Sequence, residues 1–280
     1  MRTKIYFTDT YHSLVRGKLK MSDGYKDGFF IIDTACTNCA VNSCFCEGNL
    51  HETERTCNVI AAGNVSKRSK LYNFTYSVED DIYCDDFQSV DNLDKMIGNT
   101  SICILGILGL TFLWQYKMVV DYKVNEIYTS SIDIKLNLED SHFFFPLVYG
   151  LENWRFPIVG ITNDKDEDLI LAMIDTGSNA NIMCKQAVDE FKFKYENTEN
   201  KSEISYIYSN DVNEVAKIQF YILSQKGNEP DFQLKSELFN ISNLDYLLKE
   251  GDNSISCILG NVFLLENKMI IDFDKCIIYA

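Results

Sequence analysis

No stretch of this chain approaches the roughly 18 uninterrupted apolar residues that mark a membrane-crossing helix. The longest candidate, Ile102 to Trp114, is too short and is broken by Gly106 and Gly109. Positive charge is also scarce, with 26 Lys and Arg against 41 Asp and Glu and a formal net charge of -15. A surface of that sign repels nucleic acid and anionic membranes alike, so neither is an expected partner. The first residues, Met1 to Asp9, lack the continuous apolar core and the small-residue cleavage site of a signal peptide, which points to the cytoplasm. In that compartment the ten cysteines are expected to be reduced thiols, and sequons such as Asn64-Val-Ser and Asn240-Ile-Ser to go unused.

Hydrophobic residues are plentiful at 46%, enough for packed cores in a chain of 280 residues. Two stretches carry the chemistry. Leu169 to Ile174 is an apolar run that delivers Asp175 into a turn, Asp175-Thr176-Gly177-Ser178. Phe29-Phe30-Ile31-Ile32 does the same for Asp33, followed by Thr34-Ala35-Cys36. An aspartate at a strand end, ringed by backbone N-H groups, acquires special acidity when a second carboxylate stands beside it.

A repeat links the two turns. Ile107 to Tyr128 aligns without a gap against Ile258 to Tyr279 at an offset of 151, with ten of 22 positions identical. Both segments open on Ile-Leu-Gly, at Gly109 and Gly260, and share Phe112/Phe263, Lys117/Lys268 and Asp121/Asp272. The two aspartates lie 142 apart, so in the second copy the glycine follows its aspartate by 85 positions against 76 in the first. A repeat of this length fixes an architecture of two similar lobes.

At these residues the chain resembles the aspartic peptidases, whose turn reads Asp-Thr/Ser-Gly after apolar residues and is followed by an apolar-apolar-glycine segment packed beneath it. The resemblance implies an all-β, bilobal acid-protease fold, with two β-barrel-like lobes related by a pseudo-twofold axis. The boundaries it suggests are a first lobe at residues 1–129, a structured linker at 130–150 that joins a sheet under the cleft, and a second lobe at 151–280. The two short copies look like a fused pair of retroviral-type protease units, similar to bacterial retropepsin-like proteins.

The resemblance also implies roles. Asp33 and Asp175 are the catalytic pair, sharing one proton because adjacent like charges resist joint ionisation. One takes a proton from a water that attacks the peptide carbonyl, and the other stabilises the developing oxygen. Thr34 and Thr176 cross-brace the turns, Ala35 and Gly177 complete them, and Ser178 bonds the outer oxygen of Asp175. A peptide or protein in the inter-lobe cleft is the expected partner, the chain acts as a monomer, and no cofactor or metal is needed.

The first turn departs from the pattern. Ala35 stands where glycine is usual, adding a methyl where backbone approaches carboxylate, and Cys36 offers a weaker donor than a hydroxyl. A peptide-binding module that keeps the fold without activity is therefore the alternative. A third class is metal binding by Cys36, Cys39, Cys44, Cys46, His51 and Cys57, although their spacing is not the usual two-plus-two arrangement.

Local pattern completes the expectations. Ser13–Met21 and Phe29–Ile32 read as strands of a hairpin, Cys39–Ser69 as loops or short strands, and Leu71–Val78 as a strand of the covering flap. Tyr72 and Tyr76 are either flap aromatics or core residues. Asp80–Asp94 reads as solvated surface, Ser89–Ile97 and Ala187–Tyr195 as short helices, Glu214–Leu223 as a strand, and Asp121 and Asp272 as turn residues.

Overall fold

Along Ser13–Met21 the odd-numbered positions from Ser13 to Leu19 are buried, while Arg16, Lys18 and Lys20 are exposed. That period of two is a strand with one face on a core. It pairs antiparallel with Gly24–Ile32 through a turn in which Gly24 has φ of +141°, a conformation that suits only glycine. The structure is a computed structural model and describes residues 1–46, 52–61, 65–91, 93, 97, 102–131, 142–144, 156–165, 168–205, 210–226, 229–250 and 253–279. The fold is mostly β, with 62% strand against 10% helix.

The same closed circuit of six strands is built twice. In the first, Ser13–Met21, Gly24–Ile32, Ile104–Leu108, Cys39–Asn42, Asp81–Val90 and Val65–Val78 follow one another, and the last returns to pair with the first. In the second, Ile158–Thr162, Ile170–Ile174, Asn253–Leu259, Asn181–Cys184, Glu229–Ser242 and Asn210–Lys226 close in the same way. Each barrel has its parallel pairings at matching places: Gly24–Ile32 on Ile104–Leu108 and Ile170–Ile174 on Asn253–Leu259. Closure leaves few open edges for stray pairing.

Backbone geometry repeats with the sequence. Lys117 and Lys268 have φ of +51° and +50°, and Asn125 and Cys276 +56° and +58°, each pair at the offset of 151. Gly109 and Gly260 precede matching six-residue helices, Leu110–Gln115 and Asn261–Glu266. A methyl on Gly109 would lie 2.5 Å from the carbonyl oxygens of Cys36 and Asn38, and one on Gly260 2.5 Å from that of Ala180. The glycine of Ile-Leu-Gly is thus required by a backbone passing directly over it.

The copies meet in a shared sheet. Met118–Asp121 pairs with Ile270–Asp272, flanked by Glu126–Thr129 and Arg2–Lys4 on one side and by Ile277–Tyr279 and His142–Phe144 on the other. His142–Phe144, from the segment 130–150 read as a linker, does join this sheet; of the rest of that segment, 132–141 and 145–150 lie outside the described residues. Asp121 and Asp272 are turn residues as expected, each accepting two backbone N-H bonds through one oxygen, from Lys123 and Val124 and from Asp274 and Lys275.

Several local expectations need correction. Cys39–Ser69, read as loops or short strands, does hold the short strand Cys39–Asn42, but it also holds the long strand Glu52–Ala61 and the start of Val65–Val78, paired as a hairpin. Asp81–Val90 is a strand rather than solvated surface, because Tyr83, Phe87 and Val90 are buried between its acids. Ser89 and Val90 therefore end a strand, and of the short helix placed at Ser89–Ile97 Leu93 is helical while residues 92 and 94–96 lie outside the described residues. The helix placed at Ala187–Tyr195 is Lys185–Glu190, stopped by Lys192 at φ of +51°. Tyr72 and Tyr76 are core residues. Tyr76 is fully buried against Phe30, Phe87 and Tyr83 and donates to Asp85 at 2.6 Å. Among the described residues no helix is long and apolar enough to cross a membrane.

Phe112 and Phe263 are twofold counterparts and both fully buried. Each truncation, Phe112→Ala or Phe263→Ala, is expected to lower unfolding free energy by about 3–5 kcal/mol. Urea titration of the two variants checks this, and a loss confined to one would show that the barrels do not rely on these side chains alike.

Candidate active site

Two strands, Gly24–Ile32 and Ile170–Ile174, end at the same level, and each hands its aspartate to a turn at the seam between barrels. The backbone N-H of Asp33 donates to Leu108 O at 3.1 Å and that of Asp175 to Leu259 O at 3.0 Å, so each turn is tied to its Ile-Leu-Gly segment. Asp33 Oδ1 accepts N-H bonds from Ala35 at 2.9 Å and Cys36 at 3.0 Å. Asp175 Oδ1 accepts the same pair from Gly177 at 2.8 Å and Ser178 at 3.2 Å. The remaining oxygen of each carboxyl is left for the space between the turns.

The threonines brace the turns against one another. Thr34 N-H donates to Thr176 Oγ1 at 3.1 Å and Thr176 N-H to Thr34 Oγ1 at 3.0 Å. Each hydroxyl then donates across the seam, Thr34 to Ile174 O at 2.6 Å and Thr176 to Ile32 O at 2.8 Å. Both threonines are fully buried. These four bonds fix the separation of the two aspartates.

Both carboxyls are buried and within hydrogen-bonding reach of each other. Burial pushes Asp33 up, against the pull of the Ala35 and Cys36 N-H bonds. Asp175 is pushed well above the usual carboxylate range, first by burial and then by the adjacent Asp33 charge. The pair titrates as a unit that keeps one proton where isolated carboxylates would have none.

Gly177 is where the two halves touch most closely. A methyl there would stand 2.5 Å from Asp33 Oδ2, so only glycine leaves room for the carboxyl. Ala35 holds the corresponding place in the first turn and does carry a methyl.

Ser178 departs from expectation. Its hydroxyl donates to Ala180 O at 2.8 Å, and the outer oxygen of Asp175 is not its partner; the contact with Asp175 is through the Ser178 N-H. Cys36 behaves alike, its thiol donating to Asn38 O at 3.0 Å. In both turns the fourth residue closes the loop onto itself.

Cysteines of the proposed metal cluster have different partners: Cys39 meets Thr111 Oγ1 at 3.5 Å and Cys57 meets Gln88 Oε1 at 3.5 Å. His51 lies outside the described residues, and among those described no three His, Cys, Asp or Glu side chains are grouped to hold an ion.

Sequence reasoning missed Asn261, Ser13 and Tyr122, buried side chains that bond one another and the Thr176 carbonyl. A signal did exist. Asn261 is the polar residue that faces Leu110 in the repeat alignment, directly after Ile-Leu-Gly.

No family model matches this sequence, and no curated protein matches it either. Among solved structures, the chain is similar to the aspartic proteinase from Irpex lacteus, with a TM-score of 0.58 over 99% of this chain and 96% of that one. The fold is that of the pepsin-like aspartic proteinases. Identity over that pepsin-like match is 10%, so the likeness speaks for architecture alone.

A carboxyl whose folded pKa is raised adds stability below its unfolded value, near 4, and loses it as pH climbs toward the folded value. Asp175→Asn removes that penalty. The variant is expected to match or exceed wild type in stability at neutral pH, by ~1.4 kcal/mol per unit of raised pKa traversed. The advantage should grow from pH 4 upward, and thermal melts across that range would expose a pair that is not coupled if the two proteins stay parallel.

Proposed function

We propose that this chain is an aspartic-type endopeptidase in which Asp33 and Asp175 activate a water against a peptide bond. The observation that carries the proposal is the pair of buried carboxyls, each pinned through one oxygen and facing the other across braced turns. In this reading the ionised member takes the proton of the water, and the protonated member donates toward the carbonyl oxygen as the tetrahedral centre forms. Proton return to the nitrogen completes cleavage. A single shared proton serves both roles, and burial keeps the pair from losing it in acid to neutral solution.

The lobes of this enzyme are residues 1–129 and 151–280, and a peptide or protein chain lies between them as substrate of a monomer. The short copies, each with a long hairpin between aspartate and glycine, favour descent from retropepsin-like units. Ten cysteines with no disulfide among them support a reducing compartment such as the cytoplasm.

One observation favours the second reading, a peptide-binding module without activity. Gly177 shows how little room exists beside a carboxyl in this site, and Ala35 brings a methyl to the matching position. Any displacement at this point costs heavily, since misplacement by about 1 Å lowers rates on the order of a hundredfold.

A diverse peptide mixture incubated from acid to neutral pH, with wild type and Asp175→Asn side by side, tests the choice. Products formed only by wild type are the expected result; none at any pH, from protein shown to be folded, leaves the binding module. Where cleavage is seen, Ala35→Gly should raise kcat/KM, and Gly177→Ala should lower it about a hundredfold or more. Equal rates in all three would mean that the methyl positions do not set the geometry of the pair.

A further inference from the structure

Asn261 opens the helix Asn261–Glu266 and is fully buried. Its backbone N-H donates to Ser178 O at 2.8 Å, and its side-chain Nδ2 donates to Thr176 O at 2.7 Å. On the other side, Asn261 Oδ1 accepts the hydroxyl of Tyr122 at 2.6 Å and that of Ser13 at 2.9 Å, the two hydroxyls being 2.9 Å apart. Ser13 and Tyr122 belong to the first copy, so the cluster crosses the seam between the lobes.

The Thr176 carbonyl is half of a peptide unit whose other half is the Gly177 N-H, the donor to Asp175 Oδ1 at 2.8 Å. A peptide unit is planar, so holding its oxygen fixes where its N-H points. A bond accepted at the oxygen also polarises the N-H into a better donor.

The counterpart arrangement in the first turn lacks this device. Leu110 keeps the backbone bond, its N-H donating to Cys36 O at 2.8 Å, but has no donor for the Thr34 carbonyl. Phe273 stands where Tyr122 would, also buried. The apolar version packs well enough to be fully buried, so filling space does not explain three polar side chains whose desolvation is costly.

We infer that Asn261 is a positioning residue for Asp175: anchored on the first lobe by Ser13 and Tyr122, it orients the Thr176–Gly177 peptide toward the Asp175 carboxyl. The inference deepens the endopeptidase reading and rests on it for its kinetic consequences. It makes the two aspartates unequal, with Asp175 receiving the stronger N-H bond. Titratable groups that sense Asp175 in this region are Asp33, Cys36 and Tyr122, and the last two stay neutral because burial raises both.

The test uses the full chain with Asn261→Leu, which copies the first lobe, together with Tyr122→Phe and Asn261→Asp. Two readouts are taken: kcat and KM against pH on a cleaved peptide, and the ¹³C titration of the Asp175 carboxyl. Loss of the polarised donor disfavours the carboxylate, so Asn261→Leu should move the Asp175 titration to higher pH. It should also move the alkaline limb of kcat upward and lower kcat about tenfold with KM little changed. Tyr122→Phe should act in the same direction and less. Asn261→Asp keeps a donor only while protonated, so it should recover part of kcat in acid and lose it as pH rises. Unmoved Asp175 titration in a folded Asn261→Leu protein overturns the inference, as does a kcat loss without any change in pH profile. A moved titration in a chain whose wild type cleaves nothing would keep the inference and sink the endopeptidase reading. Should Asn261→Leu fail to fold, Tyr122→Phe decides by the same two readouts.

Discussion

Two carboxyl groups buried side by side cannot both carry charge, and the chain spends much of its design on holding them there nonetheless. Each turn gives one oxygen of its aspartate to two N-H bonds, and the threonine brace sets the gap. Everything larger follows from keeping those turns at one level: strands that end together, a glycine beneath each turn, and a shared sheet that stops the barrels from sliding. An acid pair in open solvent would lose its proton near pH 4 and be two unrelated anions. Enclosure makes it one titrating unit.

How much of this can be read from the residues depends on whether a feature is carried by a local signal. The barrels, the turns and their brace were legible because the duplication supplies each signal twice, and two weak motifs in matching places outweigh either alone. The hairpin of Glu52–Ala61 with Val65–Val78 was not, since its charged and cysteine-rich strands lack a clear alternation and take their order from neighbouring strands. Asp81–Val90 misled for a similar reason. Its acids dominate the eye, whereas Tyr83, Phe87 and Val90 decide which way the strand faces. Family pattern misled once, at Ser178, whose hydroxyl closes its own turn at Ala180.

Around the shared Asp-Thr and Ile-Leu-Gly residues the two halves differ at four pairs of positions. Ala35 opposes Gly177, Cys36 opposes Ser178, Leu110 opposes Asn261, and Phe273 opposes Tyr122. Distant positions keep the pseudo-twofold more faithfully, down to the left-handed lysines at 117 and 268 and the Asx-type turns at Asp121 and Asp272.

The pairing of Met118–Asp121 with Ile270–Asp272 gives those differences a cause. Val119 faces Asp272, Val120 faces Ile271 and Asp121 faces Ile270, so Val120 lies opposite its own counterpart, the register of an isologous contact between identical subunits. In a dimer of separate chains every substitution is written on both sides of such an axis. An asparagine introduced beneath one aspartate would appear beneath the other, and its hydroxyl partners with it. Covalent joining of the halves releases that constraint: a single residue can be placed on one side only, which lets twin acids be given different work.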